Sequence, residues 1–281
     1  MIRALNRLLD VALRVDSDAA LNDGITASSR DEHVAADIKR ALTMLKAEAF
    51  DEASATFDYT RVRVSETYCV LRECTGRLNH FDPASLVTRE ERLAFWINLY
   101  NALVLDAVIC FDVHDRVTKD LGFFRRAAYR VGGMRFSADD IEHGILRGNR
   151  HHPLLPFPQF ARDDPRLAFS IQPMDPRIHA ALNCASRSCP PIAVYAAEHL
   201  DAQLDQAMRA LVNGAVEVDM TNALVCLSPI FRWYAMDFGG REGVIEQIVC
   251  ELNDETSREW LAMNRHRVRI EHSRYDWGLN G

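Results

Sequence analysis

The sequence predicts an α+β protein: a helical N-terminal region, residues 1–87, then a mixed domain, residues 88–281, of helices packed on a small, mainly antiparallel sheet. Three observations lead there. Apolar residues recur at helical spacing through the first third, short strand-like runs separated by turn residues appear only after about residue 127, and no regular winding of strand and helix follows.

Apolar residues at 2, 5, 8, 9, 12 and 13 describe an amphipathic first helix. It is expected to pack on the chain's own core, because Asp10, Asp16 and Asp18 dilute the basic face that an anionic membrane surface requires. It lacks the unbroken apolar stretch and small-residue cleavage site of a secretory signal. Residues 16–31, rich in Asp, Asn, Gly and Ser, read as a loop. Helices follow over Val34–Ala49 and about Phe57–Leu78, the second broken by Asp82-Pro83. Thr88 and Glu91 form a capping-box signature that opens the strongest helix, Arg89 to about Phe111. That helix is apolar nearly all round, which implies burial on more than one side. Asn98 and Asn101, three apart, share a face. Each needs hydrogen-bond partners, either as a structural clamp or as polar groups lining a pocket.

Ala127–Ser137 reads as a hairpin about Gly132-Gly133. Ser137 then caps a short helix, Ala138–Arg147, that carries Glu142 and His143 and closes at Gly148. The Pro-rich stretch 149–165, with His151-His152, is irregular. Leu167–Ile171 and Arg177–Leu182 read as strands, 198–213 as a helix, and 216–227 as a hairpin turned at Thr221-Asn222. Helices near 228–234, 241–252 and 255–264 and a strand from Val268 complete the chain.

With 281 residues, 48% hydrophobic and 26% charged, the composition is that of a globular chain with one large core or a core plus a helical appendage. A net charge of −7 argues against a nucleic-acid partner, which needs a clustered basic surface. No apolar run is read as a membrane span. Seven cysteines, an odd number without framework spacing, suit a reducing cytoplasm. Cys110, Cys226 and Cys250 sit in apolar stretches and are expected in the core.

Chemistry concentrates between Asp175 and Pro191, where His179, Asn183, Cys184, Ser186, Ser188 and Cys189 stand together. Thiolate is the reactive form of cysteine and imidazole the side chain that most readily takes a proton near neutrality, so the cluster supports three readings. In the first, Cys184 or Cys189 is a nucleophile activated by His179 or His143, with Glu142 or an asparagine orienting the imidazole. The protein is then a thiol-dependent hydrolase or acyl transferase acting without a cofactor on an acyl or amide group of a small molecule or protein. Asn98, Asn101, Ser186, Ser188 and Cys189 would serve as binding groups. In the second, His179, Cys184 and Cys189, with His143, bind zinc. In the third, the cluster is structural and the domain binds a protein partner as a scaffold.

The motifs Phe-Trp-Ile-Asn-Leu-Tyr-Asn-Ala-Leu at 95–103, Asp-Ile-Glu-His-Gly-Ile-Leu-Arg at 140–147 and Asp-Pro-Arg-Ile-His…Asn-Cys…Ser-Cys-Pro-Pro at 175–191 resemble the domain of unknown function 547 family. Phe231-Arg-Trp233…Asp237-Phe238 and the terminal Tyr275-Asp276-Trp277-Gly-Leu-Asn280 also fit, so the resemblance covers roughly residues 88–281. It implies a domain and a set of residues, and no reaction.

Overall fold

The computed structural model describes residues 1–25 and 33–281, so residues 26–31 of the loop expected at 16–31 lie outside the described residues. The described chain forms two compact units: residues 1–174, 182–200 and 277–281 make the first, residues 175–181 and 201–276 the second.

The first unit holds α1 (Ile2–Ala12), α2 (Val34–Ala49), β1 (Phe50–Asp51), β2 (Thr56–Phe57), α3 (Tyr59–Arg63), α4 (Glu66–Arg77), α5 (Arg89–Cys110), α6 (Phe123–Arg126), β3 (Ala128–Val131) and β4 (Met134–Ser137). β1 pairs with β2 and β3 with β4, both antiparallel, and Gly132 and Gly133 take positive φ at the β3–β4 turn. The helix expected over Phe57–Leu78 is two helices, because the side chains of Asp58 and Ser65 each capture a backbone N–H and start a new one.

α5 is the axis of this unit. Both hydrogen bonds of its capping box form: Glu91 N–H to Thr88 Oγ1 at 3.1 Å and Thr88 N–H to Glu91 Oε2 at 2.9 Å. Leu93 through Ile109 are buried, and Trp96 packs against Phe95 and Phe136 with ring centroids 5.1 and 5.0 Å apart. α5 is, against expectation, long and apolar enough to cross a membrane, but its apolar surface is spent inside the unit. Its buried Asp106 accepts from Tyr68, Arg72 and Tyr129 at 2.6–2.8 Å, so this carboxylate is paired where an unpaired charge would be prohibitive.

Three expectations are overturned. α1 buries no residue; it is held by polar contacts such as Arg125 to Asp10 at 2.7 Å, and Leu8 and Val11 remain exposed. Cys110 and Cys250 are exposed and Cys226 is half-buried, since the first ends its helix and apolar neighbours in sequence do not share its face. Leu167–Ile171 and Arg177–Leu182 are not strands. They belong to 3₁₀ turns, Pro165–Phe169 in the first unit and Pro176–Ala180 in the second. Each opens with Asp-Pro-Arg: the aspartate (164 or 175) accepts the N–H of the arginine two residues on, and proline fills the first turn, where its missing N–H costs nothing.

The second unit contains α7 (Leu200–Ala215), β5 (Glu217–Asp219), β6 (Leu224–Leu227), α8 (Pro229–Trp233), α9 (Gly240–Glu251), α10 (Glu255–Asn264) and β7 (Arg269–His272). β6 is central, antiparallel to β5 and parallel to β7. Met208, Val212, Leu227, Phe231, Ile248 and Leu261 form its core, and Ala180, beside His179, belongs to the same cluster.

Candidate functional site

In the second unit, the turn Pro176–Ala180 carries His179 into the interior. Arg177 anchors this turn: it binds Asp175 at 2.8 Å and also Asp201 and Asp205. Its donation of hydrogen bonds to the Asp175 carboxylate is the largest influence holding the guanidinium pKa above the ordinary value. His179 Nε2 lies 2.9 Å from Asp237 Oδ2, with about 1% of either side chain exposed. Tyr234 stacks on the imidazole at 3.8 Å between centroids and 17° between planes, and Phe238 approaches at 5.9 Å. The Asp237 carboxylate is placed to accept from Nε2–H, and Tyr234 fixes the ring plane. Sequence reasoning gave Asp237 no role. It stood within the Phe231…Asp237-Phe238 stretch of the resemblance, the one signal that pointed to it.

In the first unit, the loop after Leu182 is held from two sides. Asn183 N–H donates to Asn101 Oδ1 at 2.9 Å, and Asn183 itself donates to Pro190 O at 2.7 Å and accepts from Ala185 N at 2.9 Å. Ala185 has φ of 63°, the left-handed region, which places Cys184 and Ser186 side by side with Sγ and Oγ 3.1 Å apart. Cys184 N–H donates to Cys189 Sγ at 2.9 Å, while the Cys189 thiol donates to Leu182 O at 3.4 Å. A zinc ligand would have to be a thiolate, without that donor. Ser186 is buried and Ser188 half-buried. Tyr59, whose hydroxyl donates to Asn280, has its pKa raised, chiefly by burial and then by Cys184 and Cys189. Asn98 donates to Tyr195 O at 2.7 Å and accepts from Tyr195 N at 2.9 Å, so the α5 asparagines clamp the backbone on both sides of Pro191.

Glu142 and His143 stand on a π-helical turn of this unit, Asp140–Leu146, where an α-helix was expected. Ser137 and Asp140 cap each other's backbone N–H, and Arg147 N–H reaches five residues back to Glu142 O at 2.8 Å, the widened bond that defines such a turn. Glu142 accepts from Tyr100 of α5 at 3.2 Å. His143 Nδ1 accepts from Arg147 at 2.9 Å, and its ring meets that of His152 edge-on at 4.7 Å. α5 thus supports both groups of candidates, Tyr100 holding Glu142 and Asn101 holding the Cys184 loop.

Among the described residues, Asp139, His143 and His152 come nearest to a metal-ligand set, with one ligating atom from each within 4.8 Å of the others. Their surroundings suit hydrogen bonding better. Arg147 donates to Nδ1 of His143, and Leu154 N–H donates to Nδ1 of His152 at 3.0 Å, so Nδ1 of each ring is already engaged. A ligating imidazole instead presents one lone pair to the metal and gives its other N–H to an acceptor. Burial pushes the Asp139 carboxyl up to about 7 and depresses His152 below its ordinary value.

Fold and site define an α+β chain with an imidazole–carboxylate pair in one unit and a strained, thiol-bearing loop in the other. Residues 84–212 match the family model described as Protein of unknown function, DUF547, the family that the motifs resemble. The match takes in the motifs at 95–103, 140–147 and 175–191 and ends before Asp237. No curated protein and no solved structure matches the chain significantly.

Proposed function

We propose that the protein is a thiol-dependent hydrolase or acyl transferase, in which Cys184 is the candidate nucleophile and the His179–Asp237 pair a candidate base, each read within its own unit. The observation that carries this reading is the 2.9 Å bond between His179 Nε2 and Asp237 Oδ2 under the stacked Tyr234 ring. A base whose tautomer and orientation are fixed by a third group is the arrangement nucleophilic catalysis requires. His143 is the weaker choice, because Arg147 donates to its Nδ1 at 2.9 Å and occupies a nitrogen that a base would use. Asp237 also takes the orienting role that the sequence offered to Glu142.

The reaction balances simply. Cys184 Sγ attacks the carbonyl carbon of an acyl or amide substrate as its proton passes to the general base. That proton leaves with the amine or alcohol, and water or an acceptor then takes the acyl group from the thioester. A structural role for the loop is the competing reading, favoured by the bonds that Asn183, Cys184 and Cys189 make to one another and to the backbone.

Alkylation separates the two. Iodoacetamide at about pH 6, mapped by mass spectrometry, is expected to modify Cys184 before the exposed Cys69, Cys110 and Cys250. H179A and D237N are expected to slow Cys184 at least about tenfold, because each removes support for the thiolate. Labelling that simply follows exposure, unchanged in both variants, would move the assignment to the scaffold.

A further inference from the structure

Beneath α1 lies a cavity of about 260 Å³ that the thiol–imidazole reading does not use. Arg3, Arg7, Arg125, Arg135 and Arg166 line it, against the carboxylates of Asp10, Asp140 and Asp164. Those carboxylates are already engaged. Asp10 accepts from Arg125 Nε at 2.7 Å, Asp164 holds Arg166 at 2.9 and 3.0 Å, and Asp140 accepts from Arg166 at 3.0 Å and from Gln159 at 2.8 Å.

The cations are not all balanced. Arg125 is 7% exposed, and its buried Nη1 has no hydrogen-bond partner; its nearest charge on that side is Asp139, 4.0 Å away. Arg135 gives Nε and Nη2 to the carbonyls of Ala19 and Arg125, neutral acceptors, and forms no ion pair with a carboxylate among the described residues. Burial, with Arg166 and Arg125 nearby, pushes its guanidinium below the ordinary value despite Asp140 and Asp10. Arg7 is exposed and, among the described residues, has no partner. Five guanidinium groups thus line the cavity against three carboxylates, a positive surplus that an anion would balance.

We propose that this cavity binds a phosphate monoester or the free phosphate ion through Arg7, Arg125 and Arg135. Guanidinium forks match phosphate oxygens in geometry and charge. At 260 Å³ the cavity lies below the roughly 300 Å³ at which drug-sized sites begin, which confines the occupant to a phosphate with a short carbon skeleton. The ligand would also tie α1 down. That helix buries nothing and is held by Asn6 and Asp10 to Arg125, by Asn6 to Gln159 O at 2.9 Å and by Arg3 to Asp163, so an anion bridging Arg7 to Arg125 adds a bond where packing supplies none.

The test is calorimetric titration of the full chain with inorganic phosphate and, separately, glycerol 3-phosphate, at constant ionic strength in chloride. It is paired with limited trypsin digestion, which reads the linkages after Arg3 and Arg7. Saturable binding is expected, with slower cleavage in α1 when ligand is present. R7A and R135Q should each weaken binding about tenfold, the loss of one charge-assisted hydrogen bond. R7A touches no contact of the fold and so reads binding alone. Tighter binding of glycerol 3-phosphate assigns the site to a monoester, and equal binding assigns it to the free ion. No binding above the chloride control, or binding that neither variant weakens, overturns the proposal.

Discussion

Asp139 offers the sharpest test of the buried polar groups. Its carboxyl is pushed up to about 7 from an ordinary 3.8, first by burial; Arg125 opposes this, while Glu142, Asp140 and Asp10 reinforce it. His143 and His152 face it from the π-helical turn and the following loop. The folded chain therefore holds a proton that the unfolded chain has already lost, so stability is fully present below about pH 4 and falls as pH climbs through 7. At about 1.36 kcal/mol for each tenfold step in acidity, the interval corresponds to about 4 kcal/mol. D139N keeps the shape and removes the titration. Relative to wild type it should gain about 4 kcal/mol between pH 4 and pH 8. With an unfolding entropy of about 2.1 cal/mol/K per residue over 281 residues, that is about 7 °C in Tm. Denaturant or calorimetric unfolding of both proteins at several pH values reads the difference. A gap that does not change with pH would refute the reasoning. So would a D139N that is most destabilised at pH 8, as an ionised carboxylate paired with Arg125 or a cation would require.

Two further substitutions test the supports of the site. G144A should destabilise by about 1–3 kcal/mol in a denaturation curve, because a Cβ there would stand 2.2 Å from the buried Phe160 ring; wild-type stability would show that the turn can shift away. N101A removes the acceptor of Asn183 N–H, so hydrogen exchange at that amide should quicken and stability fall by about 1–3 kcal/mol; unchanged exchange would mean that the loop is fixed without α5.

What the sequence disclosed was local. The Thr88–Glu91 box lies within one turn, and the bounds of α2 and α10 follow from periodicity and their flanking residues, so all three were legible. The two misread strands failed for an equally local reason. Asp-Pro-Arg followed by apolar residues was weighed as an apolar run, although an aspartate before Pro-Arg offers its oxygen to the next free N–H, a capping bond that decides the backbone before alternation can. That the same tripeptide occurs at 164–166 and 175–177 and folds alike in both units shows the turn to be encoded in those residues. α1 failed differently: its apolar stripe was real, but a stripe states what could be buried and not what is available to bury it.

The histidines show where such reading ends. In sequence His143 and His179 looked interchangeable, each beside polar residues and each a candidate base for Cys184. The partner that separates them is near in one case and remote in the other. Arg147 lies one helical turn beyond His143, within reach of its ring. Asp237 lies 58 positions beyond His179, reached only after α7, a hairpin and α8 have folded back on the turn that carries the imidazole. Both rings stand near a carboxylate, Glu142 Oε1 3.8 Å from His143 Nδ1 and Asp237 Oδ2 2.9 Å from His179 Nε2, but only the second is a contact between distant elements, which no local pattern contains.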